Sequence, residues 1–300
     1  MIETPQVTAL APWFGGKRTL ASTIVGLIGK HSAYFEPFCG GLAVLFAKPE
    51  SAQETINDLN TDIVNLASLL QDENSAVELY DRLSRTLVCE SIMTDSKNYL
   101  KENPPFGDEF QQEPTQTRID RAYWWFLGQW MGRNGVSGTA REDYQIAVRW
   151  TPGGGSPTTR WFNAVDALPW WHQRLRKAAI LNSDGFEIIP KFSDSSDVVI
   201  YCDPPYVAQT RSGMMSGRKG SSYRHEFDAS DHLKLALLLR EFKRARIIVS
   251  YYDCEQVREL YDGWTFHEIK MEKLIARTSG KRDTVNEVLI CNFNDRVLFN

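Results

Sequence analysis

Two features predict an α/β fold with a mostly parallel sheet and an inserted smaller module. Short apolar runs alternate with helical stretches at both ends of the chain, and the middle has a different texture. The strongest strand signals are Val198-Val199-Ile200-Tyr201 and Arg246-Ile247-Ile248-Val249-Ser250, near-continuous apolar runs of the kind buried on both sheet faces. In order, Ala21 to Ile28 reads as a helix, Ala33-Tyr34-Phe35-Glu36 as a strand and Leu42 to Ala47 as a helix. Thr55-Ile56-Asn57 reads as a strand and Asp62 to Leu70 as a helix. After residue 197 the rhythm resumes. A helix over Asp231 to Phe242, with Asp228 or Ser230 as its N-cap, lies between the two apolar strands, and Glu255 to Leu260 (helix) and Val288 to Cys291 (strand) follow.

Residues 71–180 break this rhythm with Pro104-Pro105, Gly153-Gly154-Gly155 and seven of the nine tryptophans. The expected division is therefore 1–70 with 181–300 as one domain and 71–180 as an insert. The insert's tryptophans are expected to form its core rather than stacking platforms.

The chain has 300 residues, 42% of them hydrophobic and 24% charged, which excludes a fibrous or wholly disordered protein. Its formal charge of −4 excludes a uniformly basic coat. Charge is uneven, however. Residues 118–177 carry nine basic against four acidic groups, and residues 204–225 carry four basic groups and no acid. Two basic patches on an acidic protein point to a face that meets polyphosphate. The five scattered cysteines form no CxxC pair, so reduced thiols and no zinc site are expected. Neither a membrane helix nor a secretory leader is visible, and a cytoplasmic setting in a bacterial or phage-infected cell is expected.

The sharpest motif is Asp203-Pro204-Pro205-Tyr206, directly after the Val198 strand. In open α/β sheets ligands bind at the carboxyl ends of strands. Two prolines stiffen the turn, so that the Asp203 carboxylate and the Pro204 carbonyl can both accept hydrogen bonds from one planar amino group. Tyr206 offers a ring for stacking. Phe35-Glu36-Pro37-Phe38-Cys39-Gly40-Gly41 forms a strand-to-helix turn whose glycines allow close approach of a ligand. Asp58, 22 residues beyond Glu36 at the next strand's tip, is placed to accept ribose hydroxyls. The glycine pattern lacks the full G-x-G-x-x-G, which disfavours nicotinamide cofactors. Trp13-Phe14-Gly15-Gly16-Lys17 is no phosphate-binding P-loop, because Arg18 follows the lysine; Lys17 is expected to pair with a carboxylate.

Together, in this order, Trp13–Lys17, Phe35–Gly41, Ile56–Asn60 and Asp203–Tyr206 resemble the Dam-type adenine-N6 DNA methyltransferases. The similarity continues through Phe227, Asp231-His232, Ser250 and Asn286–Ile290. The resemblance implies a Rossmann-like S-adenosylmethionine-dependent sheet with a mostly helical target-recognition insert. It implies that Trp13 and Lys17 bind the methionine part of the cofactor, that Phe35, Glu36, Pro37, Phe38 and Gly40 surround it, and that Asp58 holds its ribose. Asp203 would lie between cofactor and target amine, with Tyr206 stacked on a flipped base. The substrate would be double-stranded DNA, methylated as in restriction-modification, by a monomer or weak dimer.

Gly132–Gly138 resembles the family's R-x-N-x-x-G turn, where Arg133 and Asn134 suit guanine and adenine edges. Its surroundings depart from the GATC-specific pattern. Asn182–Phe186 resembles the family's third motif with an extra glycine. The basic loop 207–225, containing Arg211, is expected to close over the extruded nucleotide and hold phosphate. The chain has no Pro-Cys nucleophile, which argues against cytosine-C5 chemistry. Cytosine-N4 transfer and a non-catalytic DNA-binding protein on the same scaffold are the competing readings.

Overall fold

Buried apolar strands need cover on both faces, and the chain supplies it with helices on either side of one sheet. The computed structural model describes residues 4–13, 15–107, 109–132, 146, 156–207, 227–272 and 284–294. The strands are β1 (Ala33–Glu36), β2 (Gln53–Asn57), β3 (Ala178–Leu181), β4 (Val198–Cys202), β5 (Arg246–Tyr252), β6 (Thr265–Glu272) and β7 (Thr284–Cys291). Their spatial order is β3-β2-β1-β4-β5-β7-β6. Neighbours from β3 to β5 pair in parallel, and β7 lies antiparallel between β5 and β6. The order reverses between β1 and β4, which are direct neighbours (Phe35 opposite Ile200). A sheet of this topology opens its ligand crevice at that switch point, outside the carboxyl ends of the strands. The result is a Rossmann-like fold.

Helices α1 (Ala21–Ile28) and α2 (Ala43–Ala47) flank β1, and α3 (Thr61–Gln71) follows β2. The side chain of Asn60 caps α3 by accepting from the N–H groups of Asp62 and Ile63. Nearly the whole circumference of α3 is buried, because α3 lies between the sheet and the inserted helices. Those are α4 (Glu73–Ser84), α5 (Glu90–Glu102), α6 (Thr115–Met131), α7 (Pro157–Asp166) and α8 (Leu168–Leu175). After β3 comes the short α9 (Gly185–Ile188). Helix α10 (Ala229–Arg240) begins at a capping box between Asp228 and Asp231, and α11 (Glu255–Leu260) follows β5.

The insert is helical where it is described, and Trp125, Trp130, Trp161 and Trp171 are core residues. Their core is not private to the insert: one cluster joins Trp130 and Trp171 to Leu10, Val44 and Leu66 of the sheet-bearing part. Truncating any one of these buried indoles to alanine costs about 3–5 kcal/mol. The division expected at residue 180 falls inside β3, whose pairing with β2 begins at Ala178. Among the described residues no helix is long and apolar enough to cross a membrane.

Candidate active site

Because β1, β2 and β4 are parallel neighbours, their carboxyl-terminal turns come together although they are remote in sequence. A cavity of about 640 Å³ opens there. It is lined by Trp13, Lys17, Glu36, Pro37, Phe38, Gly40, Asp58 and Asp203, all expected from the sequence. Phe35 does not line it. Strand alternation turns Phe35 away from Glu36, and its ring stacks on Phe192 at 4.1 Å within the opposite core cluster. Pro204 is buried behind the turn, and its neighbour Pro205 faces the cavity instead. Arg133, Asn134, Arg211 and most of loop 207–225 lie outside the described residues.

The β1–α2 turn is built around close approach. Gly40 has φ +45°, and a Cβ there would fall 2.7 Å from the indole nitrogen of Trp13. Only glycine satisfies both the backbone and the ring. The segment before Trp13 lies across this turn, with Leu10 N–H donating to Gly41 O (3.0 Å). The insert pins the same segment from the other side: Trp130 Nε1 donates to Leu10 O (3.0 Å) and Trp171 Nε1 to Val7 O (3.3 Å).

At the tip of β2, Asp58 accepts from Gly40 N–H (2.8 Å) through Oδ2 and from Asn60 N–H (2.9 Å) through Oδ1. Asn57 braces three turns at once, donating to the carbonyls of Pro37 and Ser183 and accepting from Ser183 N–H. The sequence reading passed it over; a polar residue ending an otherwise buried strand was the available signal. The extra glycine after Asp184 also has a cause. A Cβ at Gly185 would press 2.8 Å against the ring of Phe38, which meets Phe227 edge-on at 5.6 Å to form one wall of the cavity.

Three ionisable groups meet over the end of β4. Lys17 Nζ is 2.8 Å from Asp203 Oδ2 and 3.3 Å from Glu287 Oε1, and it lies 4.8 Å above the ring centre of Tyr206. The Tyr206 hydroxyl donates to Glu287 Oε1, and its ring is only 2% exposed. Burial pushes the Asp203 carboxyl up to about 6, with Lys17 pulling the other way. Glu36 accepts from the Tyr34 hydroxyl at 2.8 Å, yet burial carries it up to about 8. The cavity thus gathers carboxyl groups around a single buried lysine, with an aromatic wall and a glycine-bearing turn.

The model of the D12 class N6 adenine-specific DNA methyltransferases matches residues 13–276. This chain belongs to that family. It is similar to the DNA adenine methylase of Haemophilus influenzae, at 26% identity over 92% of this chain and 91% of the relative. Against the type II methyltransferase M.MjaIII of Methanocaldococcus jannaschii, identity is 25% over 96% of this chain and all of the relative. A SAM-dependent methyltransferase structure from Agrobacterium tumefaciens is a more remote likeness (11% identity, TM-score 0.31, 91% of this chain and 59% of that one) and locates no residue.

The activity is therefore methyl transfer to the N6 amine of adenine in DNA, with S-adenosylmethionine as donor, and cytosine-N4 transfer is set aside. The cavity fits that donor chemically: carboxyl groups suit its cationic sulfonium and ammonium groups and its ribose hydroxyls, and the phenylalanine wall suits a purine.

Proposed function

We propose that Asp203 and the carbonyl of Pro204 together accept both hydrogens of the adenine amine, holding its nitrogen in line with the donor methyl. Adenine's amine is a poor nucleophile because its lone pair is delocalised into the ring. Two acceptors on a stiff turn favour a pyramidal nitrogen with its lone pair exposed. The bound S-adenosylmethionine supplies an electrophilic methyl, so in-line positioning accounts for most of the remaining catalysis. Asp203 serves as an acceptor that orients the amine, and the product's proton leaves afterwards. The amine lies inside a duplex, so the adenine is extruded at a cost of a few kcal/mol. Tyr206 stacks on the extruded base once the turn has opened its ring. Arg133 and Asn134 of the insert read base edges, and Arg211 holds backbone phosphate.

The observation carrying this reading is that Asp203 lines the same cavity as the Glu36–Gly41 turn and Asp58, at the switch point of the sheet. The test uses tritiated S-adenosylmethionine with mixed-sequence duplex DNA. Asp203→Ala is expected to lose transfer by about a thousandfold or more while keeping DNA affinity. Turnover at the wild-type level in that variant rejects the site. A 2-aminopurine at the target position brightens on binding if the base is extruded.

A further inference from the structure

Glu287 lies within the Asn286–Ile290 stretch of the resemblance without an assigned role, and the proposed mechanism does not use it, yet it is buried at the centre of the catalytic cluster (4% exposed). It stands early in β7. That strand runs against its neighbours, so Glu287 comes to the carboxyl ends of the parallel strands, opposite Tyr252 of β5 and Ile269 of β6. The groups facing it are Lys17 from the N-terminal segment, Tyr206 and Asp203 from the turn after β4, and Tyr252 from β5. One ammonium therefore stands between two carboxyl groups, 2.8 Å from Asp203 and 3.3 Å from Glu287.

We infer that Glu287 is a positioning residue for methyl transfer: it shares the Lys17 ammonium and anchors the Tyr206 hydroxyl, leaving Asp203 available to the adenine amine. With Glu287 neutral, Lys17 has one carboxylate left to neutralise, and Asp203 becomes a closed ion pair and a weaker acceptor. The like charge of Glu287 also holds Asp203 up, so removing it lets Asp203 ionise at lower pH. The same glutamate holds the tyrosine that ends the Asp-Pro-Pro-Tyr turn, so one side chain sets both the charge and the shape of that turn. This role rests on the reading of Asp203 as the amine's acceptor.

Glu287→Gln keeps an acceptor for Tyr206 and removes only the charge. In the DNA-free protein, the carboxyl ¹³C titration of Asp203 is expected to move down by about half to one pH unit. Single-turnover transfer at neutral pH is expected to fall about tenfold, with its acid limb displaced in the same direction. Glu287→Asp retains the charge and is expected to keep the Asp203 midpoint at its wild-type pH. An unmoved midpoint in Glu287→Gln, a rate loss equal at every pH, or a midpoint displaced as far in Glu287→Asp each overturns the inference. If Asp203→Asn transfers at the wild-type rate, the reading of Asp203 itself fails. If Asp203→Asn is dead while Glu287→Gln changes neither midpoint nor rate, only the role of Glu287 fails.

Discussion

At the amino-terminal end of β2, Glu54 is buried between Lys48 and Arg174; at the carboxyl end of β4, Lys17 is buried between Asp203 and Glu287. The two clusters are inverses. In the first, two cations converge on one carboxylate, with Arg174 Nη2 at 2.8 Å and a further bond from Ser51 N–H at 3.1 Å. Burial works to raise Glu54, but the hydrogen bonds from Arg174 and Lys48 outweigh it and its titration lies below the ordinary range. In the second, one cation is divided between two acids, burial prevails, and Asp203 rises to about 6. Glu54, 1% exposed, and Asp203, 19% exposed, thus shift in opposite directions, and the ratio of charges around each accounts for the sign. The cation-rich cluster joins β2 to α8 of the insert; the carboxylate-rich one faces the cavity, where a carboxylate that shares its cation has an acceptor site to offer.

The largest expected effect breaks the cation-rich cluster. Glu54→Ala strands Lys48 and Arg174 in the core and is expected to cost about 3–5 kcal/mol in urea unfolding. A loss below about 1 kcal/mol would show that the pair is hydrated rather than buried. Next, Lys17→Met removes the cation that Asp203 and Glu287 share. Asp203 then rises further, and the acid limb of single-turnover transfer is expected to move up by about one pH unit, in the direction opposite to Glu287→Gln; an unmoved limb contradicts the pairing. Third, Glu36 has a folded-state value of about 8 against an ordinary 4.5. The native protein therefore binds more protons than the unfolded chain between those values. Stability from this group is complete below about pH 4.5 and is lost as pH rises towards 8. Glu36→Gln is expected to flatten the fall in stability between pH 5 and 7.5 by up to about 1.4 kcal/mol per pH unit, read as Tm against pH. The smallest effect lies in the exposed pair Lys177–Glu50, where Lys177→Ala is expected to change stability by less than about 0.5 kcal/mol.

How much of this was legible depended on where each signal resides. β4 and β5 announce themselves because strands buried on both faces read as near-continuous apolar runs. Two strands went unread. β3 is only Ala-Ala-Ile-Leu directly beyond the helices of the insert, too short to show a period. β6 is an edge strand, Thr-Phe-His-Glu-Ile-Lys-Met-Glu, with the charges that protect an edge. The Asp203 turn, Gly40 and Asp58 were legible because turn chemistry is local. Partnerships across the fold were not: Glu287 meets Tyr206 from 81 residues away, and Arg174 meets Glu54 from 120. Phe35 was misplaced for the converse reason, since a motif names neighbours together while a strand points them apart.

The two indole hydrogen bonds that fasten Val7 and Leu10 have a practical corollary for re-engineering. A foreign module grafted between β2 and β3 must bring its own counterparts of Trp130 and Trp171, or the leading strap loosens and takes the rim of the cavity with it. On the proposed role of the insert, swapping what the enzyme reads also alters what it holds, and chimeras should be chosen at the outset for retained cofactor affinity rather than for new sequence preference alone.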